Sequence, residues 1–194
     1  MQTQKYQRVV IGVDPQNENK VYFLANTSGW GKKTTNYKGD IEWNALLKCE
    51  FANKPGGGDT AKWTDLSLNL PSGGPFERWN VQGSYDMFVR VHPADSNVVF
   101  IGGTNVFRSK SAFADSLKTR MIGGYKIGAA FPDVGTYPNH HPDQHNLAFY
   151  PSNPNKMINT NDGGVFRSNN NLMDSMVWES LNNGYLTTQF YSVA

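Results

Sequence analysis

The chain has 194 residues, of which 18% are charged and 13% aromatic, with 19 glycines, 10 prolines and a formal net charge of +2. This charge is too small to predict a nucleic-acid-binding surface, and no run of lysine and arginine supplies one. No apolar run approaches the length that spans a bilayer. No segment keeps the i, i+3, i+4, i+7 apolar pattern of an amphipathic helix, so the sequence favours an all-β fold.

The start of the chain, MQTQKYQRVVIGV, lacks the long apolar segment of a signal peptide and enters a strand almost at once. We therefore expect either a cytosolic protein or a chain whose natural N-terminus lies further upstream. The single cysteine, Cys49, excludes an internal disulfide and a multi-cysteine zinc site. We expect Cys49 to be a small buried side chain.

Short strand-like segments separated by glycine and proline follow one another along the chain. The first group predicts strands over residues 6–13, 21–26 and 41–51, a polar loop over 27–40, a turn over 53–60 and an outer strand that opens at Trp63. The second group begins at Tyr85 and runs to Ser109. Trp-x-x-Leu closes the first and third groups, at Trp63–Leu66 and Trp178–Leu181, but is missing from residues 110–142. These residues contain two adjacent glycines and the run FPDVGTYPNHHP, and we interpret them as an insertion and an elaborated loop.

The third group runs from His145 to Leu181 and has the clearest turn signal. Asp162 and Gly163, followed by Gly164, separate two strand-like runs. Aspartate and glycine tolerate positive φ best, so the pair predicts a two-residue type I′ hairpin turn. Asp162 is accordingly interpreted as a turn former rather than as an acid.

The three groups are copies of one unit. The segment VDPQNENKVYF around Pro15 aligns position for position with FYPSNPNKMIN around Pro151, and VHPADSNVVF around Pro93 is a further copy. The tetrapeptide Val-Phe-Arg-Ser occurs at residues 106–109 and again at 165–168. Repeats of roughly 40 to 50 residues that contain four short strands are typical of propeller blades.

The repeats predict a partial β-propeller made of four-stranded antiparallel blades. We place the blades at residues 6–70, 84–138 and 143–186, and the first strand of a fourth blade from residue 187. By alignment with the first corner, Ala194 falls two residues before the next expected corner. An inner strand that stops there leaves an open sheet edge, so we expect the chain to be part of a longer polypeptide.

The motifs of residues 139–194 carry a family resemblance. In order they are His-x-Asp-x-His, Leu-Ala-Phe-x-Pro-Ser-Asn-Pro-Asn, Asn-Asp-Gly-Gly-Val-Phe-Arg-Ser, Trp-x-x-Leu-Asn-x-Gly and Thr-Gln-Phe-Tyr. The chain resembles the BNR or sortilin-like β-propellers, which include secreted bacterial repeat proteins, and more distantly the xyloglucan-active glycoside hydrolases. The match is weaker over residues 8–26 and 84–109. The family's Asp-box, Ser-x-Asp-x-Gly-x-x-Trp, is degenerate after Ser168, so Asp174 is not interpreted as a box aspartate.

The densest group of polar side chains is Asn139-His140-His141-Pro142-Asp143-Gln144-His145. On an extended strand, His141, Asp143 and His145 would project from one face, near the mouth of the propeller channel. Three roles stay open for this cluster: hydrogen bonding to neighbouring blades, contact with a ligand or partner, and metal binding or acid–base catalysis. Because no second group of ligands is visible, we predict no metal and no cofactor.

Further candidates for ligand contact are the aromatic residues in or beside loops, which would either stack on sugar rings or pack between blades: Trp30, Trp79, Tyr85 and Tyr137. A glycoside hydrolase needs two carboxylates on opposite sides of the scissile bond. The available carboxylates, of which nothing in the sequence pairs any two, are Asp86, Asp133, Asp143 and Asp162. The repeated Arg108 and Arg167 fit scaffold residues better than sialidase arginines.

By resemblance we predict a secreted or surface-exposed module that binds a protein or glycan through loops between blades. The alternatives are a glycoside hydrolase whose catalytic carboxylates lie partly outside this stretch, and a structural component of a larger surface assembly. The expected partners are the ligand and the blades or chains that complete the propeller, with no nucleic acid and no membrane span.

Overall fold

The computed structural model describes residues 6–53 and 59–184. Its strands are β1 (Tyr6–Asp14), β2 (Asn17–Thr27), β3 (Lys32–Thr35), β4 (Ile41–Asn53), β5 (Asp59–Asp65), β6 (Phe88–His92), β7 (Asp95–Gly102), β8 (Val106–Ser109), β9 (Thr119–Gly123), β10 (Gln144–Tyr150), β11 (Asn153–Asn161), β12 (Gly164–Ser168) and β13 (Glu179–Ser180). One turn of 3-10 helix, Ser67–Asn69, follows β5. No helix in these two stretches is long and apolar enough to cross a membrane.

The strands form three antiparallel sheets in chain order, which we call the first, second and third blades. The second blade has the order β6-β7-β8-β9 and the third β10-β11-β12-β13, while the first has β1-β2-β4 with β3 and β5 both paired to β4. Neighbouring sheets meet through their first strands, β1 with β6 and β6 with β10. Antiparallel meanders stacked in this way are propeller blades, so the predicted fold class is confirmed. The strand predicted from residue 187 lies outside the described residues.

Each proline corner is a hairpin turn that closes the first two strands of its blade. The closing pairs are Asp14 with Asn17, His92 with Asp95 and Tyr150 with Asn153, and each pair is followed by the same three-residue shift of register. Proline suits such a corner because its φ is already fixed near the turn value and it has no N–H to leave unpaired. The repeat seen in the sequence is therefore a repeat of backbone geometry.

Successive side chains along each strand point to opposite sides of the sheet, which gives each blade two apolar faces. One face of the second blade packs against the first blade and the other against the third. The first contact includes Tyr22, Leu24, Leu46, Val89, Val91, Ile101 and Phe107. The second includes Phe88, Phe100, Val106, Leu147, Met157, Phe166 and Trp178. Because both faces of the middle blade are buried, blade-on-blade packing forms the core.

The first blade contains a strand that the sequence analysis assigned to a loop. Within residues 27–40, β3 pairs with the start of β4, while β5 pairs with the rest of β4. A 13-residue strand has room for both partners on one edge. The chain turns into β3 at Gly31, where φ is +89° and an added Cβ would lie 2.3 Å from the Asn44 carbonyl oxygen. The prediction was wrong because β3 is short and polar, and only its pairing with β4 identifies it as a strand.

The second blade also corrects the sequence analysis. Residues 110–142 are not wholly an insertion, because β9 lies within them and pairs with β8 to complete the blade. The prediction relied on a closing tryptophan, which this blade lacks. Residues 124–143 do form a long irregular connection, with a single bridge between Tyr125 and Thr136.

The Asp162-Gly163 connection is a two-residue turn, since Asn161 pairs with Gly164 across it. Its type differs from the predicted type I′, because neither central residue has positive φ and the left-handed residue is Gly164, at +112°. The Asn182 side chain accounts for this geometry. Its Oδ1 accepts from the Val165 N–H at 2.9 Å and its Nδ2 donates to the Gly163 carbonyl at 3.0 Å. An added Cβ on Gly164 would lie only 2.3 Å from that Oδ1.

Candidate functional site

The loop before β6 has an unusual backbone. Gln82, Gly83 and Ser84 all have positive φ, at 48°, 62° and 87°. For the two residues with a Cβ this costs about 1–2 kcal/mol each, so the surrounding structure must hold them. The buried Glu42 does so by accepting from the Val81 N–H at 3.0 Å and from the Gly83 N–H at 2.8 Å. Such strain is a reason to look for function in the loop.

The same loop presents Tyr85 at the surface. Arg8, from β1, donates hydrogen bonds to the backbone carbonyls of Ser84 and Tyr85. The Tyr85 side chain is 55% exposed, and the edge of its ring meets His145 with the centroids 5.6 Å apart. Residues of all three blades therefore fix the position of one exposed aromatic ring.

The loop before β10 does not have the extended backbone on which His141, Asp143 and His145 would project from one face. Asn139 and Asp143 have left-handed φ values of 51° and 66°, and the strand begins only at Gln144. Consequently His141, Asp143 and His145 do not alternate along one face. The Asp143 N–H instead donates to the Thr104 carbonyl at 2.9 Å, which ties this loop to the second blade.

Three carboxylates come close together where these loops meet, and we call Asp86, Asp143 and Asp162 the acidic site. Asp86 lies just before β6 and is completely buried. No N–H or O–H of the described residues is placed to donate to either of its oxygens. Burial, reinforced by the charges of Asp143 and Asp162, raises the pKa of Asp86 to about 8. Asp86 therefore keeps its proton at neutral pH and donates it in a hydrogen bond to Asp143.

Asp143 is the half-buried partner of Asp86. Burial and the neighbouring Asp162 charge raise the pKa of Asp143, while the amide of Gln82, which donates to its Oδ1, opposes this effect. The hydrogen bond from Gln82 also connects the strained loop directly to the acidic site. Two carboxyls that share one proton titrate as a pair rather than singly.

The outer part of the acidic site is open to solvent. The Oδ1 of Asp162 lies 2.7 Å from the Nε2 of His145, and the two side chains are 30% and 39% exposed. Asp162 thus has a second role besides its place in the β11–β12 turn. Together with Tyr85, this pair forms a surface on which a carboxylate, an imidazole and an aromatic ring are all accessible.

His140 is buried in the packing between the second and third blades, in hydrogen-bonded contact with both. It is 3% exposed and stacks on Trp178 with the ring centroids 4.3 Å apart. Its Nδ1 accepts from the Gly124 N–H at 2.9 Å, so its Nε2–H donates to Asn159, also at 2.9 Å. Burial lowers the pKa of His140 to about 3 and keeps the imidazole neutral.

Two of the four predicted sugar-stacking aromatics are also packing residues. Trp79 is fully buried in the core between the first and second blades. Tyr137 is 7% exposed, and its hydroxyl accepts from the Met176 N–H at 3.1 Å. Trp30 is half-buried, edge-on to Tyr6. Only Tyr85 of the four joins the acidic site.

The remaining predicted residues have separate places. His141 is half-buried, with its Nδ1 3.1 Å from the Pro142 carbonyl oxygen, and its Cβ packs against Gly163. Asp133 is exposed and pairs with Lys126. No group of three histidine, cysteine, aspartate or glutamate side chains within the described part of the chain has the geometry to hold a metal ion.

The pairing of Asp86 with Asp143 was not predicted, although the sequence contains a signal for it. Aligning the second and third blades on their proline corners places Tyr85 opposite Asp143 and Asp86 opposite Gln144. The inner strands of these blades are neighbours, so residues at matching positions lie close together. Gln82 has no such signal, because its position depends on the left-handed loop.

A cavity of about 600 Å³ is lined by residues of all three blades and lies away from the acidic site. Its lining includes Lys32, Glu77, Arg120 and Asp174. The Lys32 ammonium is already bonded to the carbonyls of Leu68 and Leu70 and to the Ser72 hydroxyl. The Lys32 ammonium is therefore not available to a ligand, and the cavity is a weaker candidate for a binding site than the acidic site.

Known proteins show little similarity to this chain. No family model matches the chain, and no curated protein matches its sequence. Among solved structures, the crystal structure of a GH74 enzyme from Niastella koreensis superposes with a TM-score of 0.48 and 17% sequence identity. The superposition covers 91% of this chain and 23% of that enzyme's chain, so this chain spans about a quarter of its length.

Proposed function

We propose that this chain is a glycan-binding module and that the acidic site, with Tyr85, is its binding surface. The observation that carries the proposal is the exposed Tyr85 ring, which a strained loop holds beside His145 and the acidic site. We also propose that the blades are of the BNR or sortilin-like kind and that the module works outside the cell, on the strength of the repeated motifs.

The chemistry of this surface suits a sugar. A pyranose presents an apolar C–H face, which an exposed aromatic ring covers, and hydroxyls, which carboxylates accept from. Asp162 and Asp143 are the acceptors within reach of such a ligand, and both are fixed by hydrogen bonds to His145 and Gln82. A rigid platform of this kind loses little side-chain entropy when a ligand binds.

The test is an NMR titration of the chain with cello-, xylo- and chito-oligosaccharides. We expect saturable shifts at the residues around Tyr85, and about a tenfold or greater loss of affinity in Tyr85→Ala, equivalent to about 1.4 kcal/mol. The matched control is Trp63→Ala, because Trp63 on β5 is also 55% exposed but lies away from the acidic site. Binding that survives Tyr85→Ala, or is lost equally in both variants, would contradict the proposal.

A glycoside hydrolase is the second candidate, and the shared proton of Asp86 and Asp143 favours it. A carboxyl that stays protonated near neutral pH is what a general acid requires. The same titrations therefore include an assay for reducing sugar. Release that is abolished by Asp143→Asn, with binding retained, would assign the hydrolase. If no oligosaccharide binds or is cleaved, the glycan proposal fails and a protein ligand becomes the leading alternative.

A further inference from the structure

Four aromatic rings from three separate loops pack together, and we call them the aromatic cluster. Phe76 lies at the centre of the cluster and is 5% exposed. Tyr37 stacks on Phe76 with the ring centroids 5.1 Å apart. Tyr125 and Phe131 meet Phe76 edge-on, with centroid distances of 5.1 Å and 5.3 Å. The cluster therefore has a buried centre and three rings around it.

The outer rings of the cluster are accessible to solvent. Phe131 is 69% exposed and Tyr37 is 39% exposed. Tyr37 already has Phe76 stacked against it and the Lys38 ammonium 5.6 Å from its ring centroid, so Phe131 offers the larger free ring surface. Core packing explains Phe76, but an exposed phenylalanine buries too little area to stabilise the fold much. A group of exposed rings marks a surface where a ligand can bind.

The aromatic cluster and the acidic site are built from the same two connections between blades. The connection between β5 and β6 contains Phe76 and, further along, Asp86. The connection between β9 and β10 contains Phe131 and ends at Asp143. Each connection therefore supplies a ring to the cluster and a carboxylate to the acidic site.

Hydrogen bonds to one short segment, between β7 and β8, hold the two groups together. The Thr104 carbonyl accepts from the Asp143 N–H at 2.9 Å. The next residue, Asn105, accepts from the Tyr125 N–H at 2.8 Å and donates to the Phe76 carbonyl at 2.6 Å. Burial and the nearby charge of Asp143 raise the pKa of Tyr125 to about 12, so the Tyr125 hydroxyl lies within the field of that carboxylate. The cluster therefore adjoins the acidic site.

We propose that the aromatic cluster is a second sugar-binding surface beside the acidic site, and that the ligand is a linear glycan of several units in contact with both Tyr85 and Phe131. This inference rests on the proposed function and adds the length of the glycan to it. A chain of sugars presents an apolar C–H face at each unit, so two separate rings can each cover one. The acidic site supplies hydrogen-bond acceptors beside Tyr85, so the shortest ligands bind there. A longer chain gains the contact with Phe131 within the same complex, which raises its affinity.

The test is how affinity depends on chain length, measured by NMR titration with cello-, xylo- and chito-oligosaccharides of two to six units. We expect the affinity of the wild type to rise with length until the chain contacts both rings. Resonances around Tyr125 and Phe131 should shift only with the longer members of a series, whereas those around Tyr85 should shift with all members. Phe131→Ala is expected to lower the affinity for the hexasaccharide by about fivefold and to leave that for the disaccharide unchanged.

Further variants at the same position separate stacking on a sugar from packing within the cluster. Phe131→Tyr keeps the ring and should bind the hexasaccharide as the wild type does. Phe131→Leu keeps an apolar side chain without the ring and should behave like Phe131→Ala. The control is Trp63→Ala, which removes an exposed ring on β5, outside both surfaces, and should change neither affinity.

Two outcomes would overturn this inference and leave the proposed function at Tyr85 intact. One is a wild type that binds every length with the same affinity. The other is a Phe131→Ala variant that keeps full affinity for the hexasaccharide, or that weakens the disaccharide and the hexasaccharide equally. If no oligosaccharide of any length binds the wild type, the proposed function and this inference fail together.

Discussion

Arg108 and Arg167 occupy the same place in two copies of Val-Phe-Arg-Ser, but their surroundings differ. Arg108 is fully buried and donates to the carbonyls of Asn171 and Met173, both at 2.7 Å, and to Asp174 at 3.0 Å. Arg167 is 36% exposed and pairs with Glu179 in the same blade. The first arginine joins two blades, and the second is a surface ion pair.

We expect Arg108→Met to lower the free energy of unfolding by about 2–3 kcal/mol, because it leaves buried carbonyls without a donor. Methionine keeps the apolar volume of the side chain, so the loss measures the hydrogen bonds rather than a cavity. Urea unfolding, with the m-value used to check that the denatured state is unchanged, gives the comparison. Arg167→Met is the control and should change stability far less. Equal losses in the two variants would mean that Arg108 does not join the blades.

At the scale of the strand and turn, the features that the sequence predicted well are those with local causes. The proline corners at Pro15, Pro93 and Pro151 each form the same bulged hairpin, because proline and the following asparagine or aspartate set the turn chemistry within a few residues. β3 was missed because four polar residues become a strand only through pairing with β4. β9 was missed because its blade lacks the closing tryptophan.

The acidic site was predictable only in part, for a similar reason. His145, Asp143 and Tyr85 were identified as polar or aromatic residues near the ends of inner strands. These three side chains lie close together only because the second and third blades stack closely. The pattern of side chains within one strand does not predict that stacking. The left-handed backbone of Gln82 and Ser84 is imposed from outside the loop, chiefly by Glu42, and has no local signal.

The β11–β12 turn depends on the absence of a side chain at Gly163. An added Cβ would lie 2.5 Å from the His141 Cβ, so Gly163→Ala must push the loop before β10 away from the turn. We expect a loss of about 1–3 kcal/mol in the free energy of unfolding, as for other overpacked contacts. Gly74→Ala is matched, because Gly74 also lacks positive φ but has no atom within 4 Å of an added Cβ. Gly74→Ala should raise the free energy of unfolding by less than about 1 kcal/mol.

If Gly163→Ala leaves stability unchanged, the contact between the turn and His141 is looser than the geometry shows. The same variant also tests how the elements build the site. Asp143 lies two residues after His141 in the chain, so displacing His141 should displace Asp143 as well. Oligosaccharide affinity should therefore fall in Gly163→Ala and remain normal in Gly74→Ala.

For the whole molecule, two buried groups bias stability in opposite directions with pH. The pKa of His140 falls from 6.5 to about 3 on folding, so below pH 6.5 the unfolded state binds a proton that the folded state excludes. Stability is therefore lost as the pH falls from 6.5. The pKa of Asp86 rises from 3.8 to about 8, so the folded state holds a proton that the unfolded state has released. Stability from this proton is present at low pH and is lost as the pH rises towards 8.

Between pH 3.8 and 6.5 the effects of His140 and Asp86 on the free energy of unfolding largely cancel. Between pH 6.5 and 8, of these two groups only Asp86 makes stability depend on pH. We expect the free energy of unfolding of the wild type to fall by about 2 kcal/mol over that interval. Asp86→Asn keeps the shape and can still donate to Asp143, so its stability should stay level from pH 6.5 to 8. Below pH 6.5 it should then show the unopposed loss that His140 causes.

Urea unfolding at intervals of half a pH unit follows both curves, with the exposed Asp133→Asn as a control that should match the wild type. A wild type whose stability is level above pH 6.5, or an Asp86→Asn variant that declines with it, would mean that Asp86 is ionised in the folded protein and that the shared proton of the acidic site does not exist.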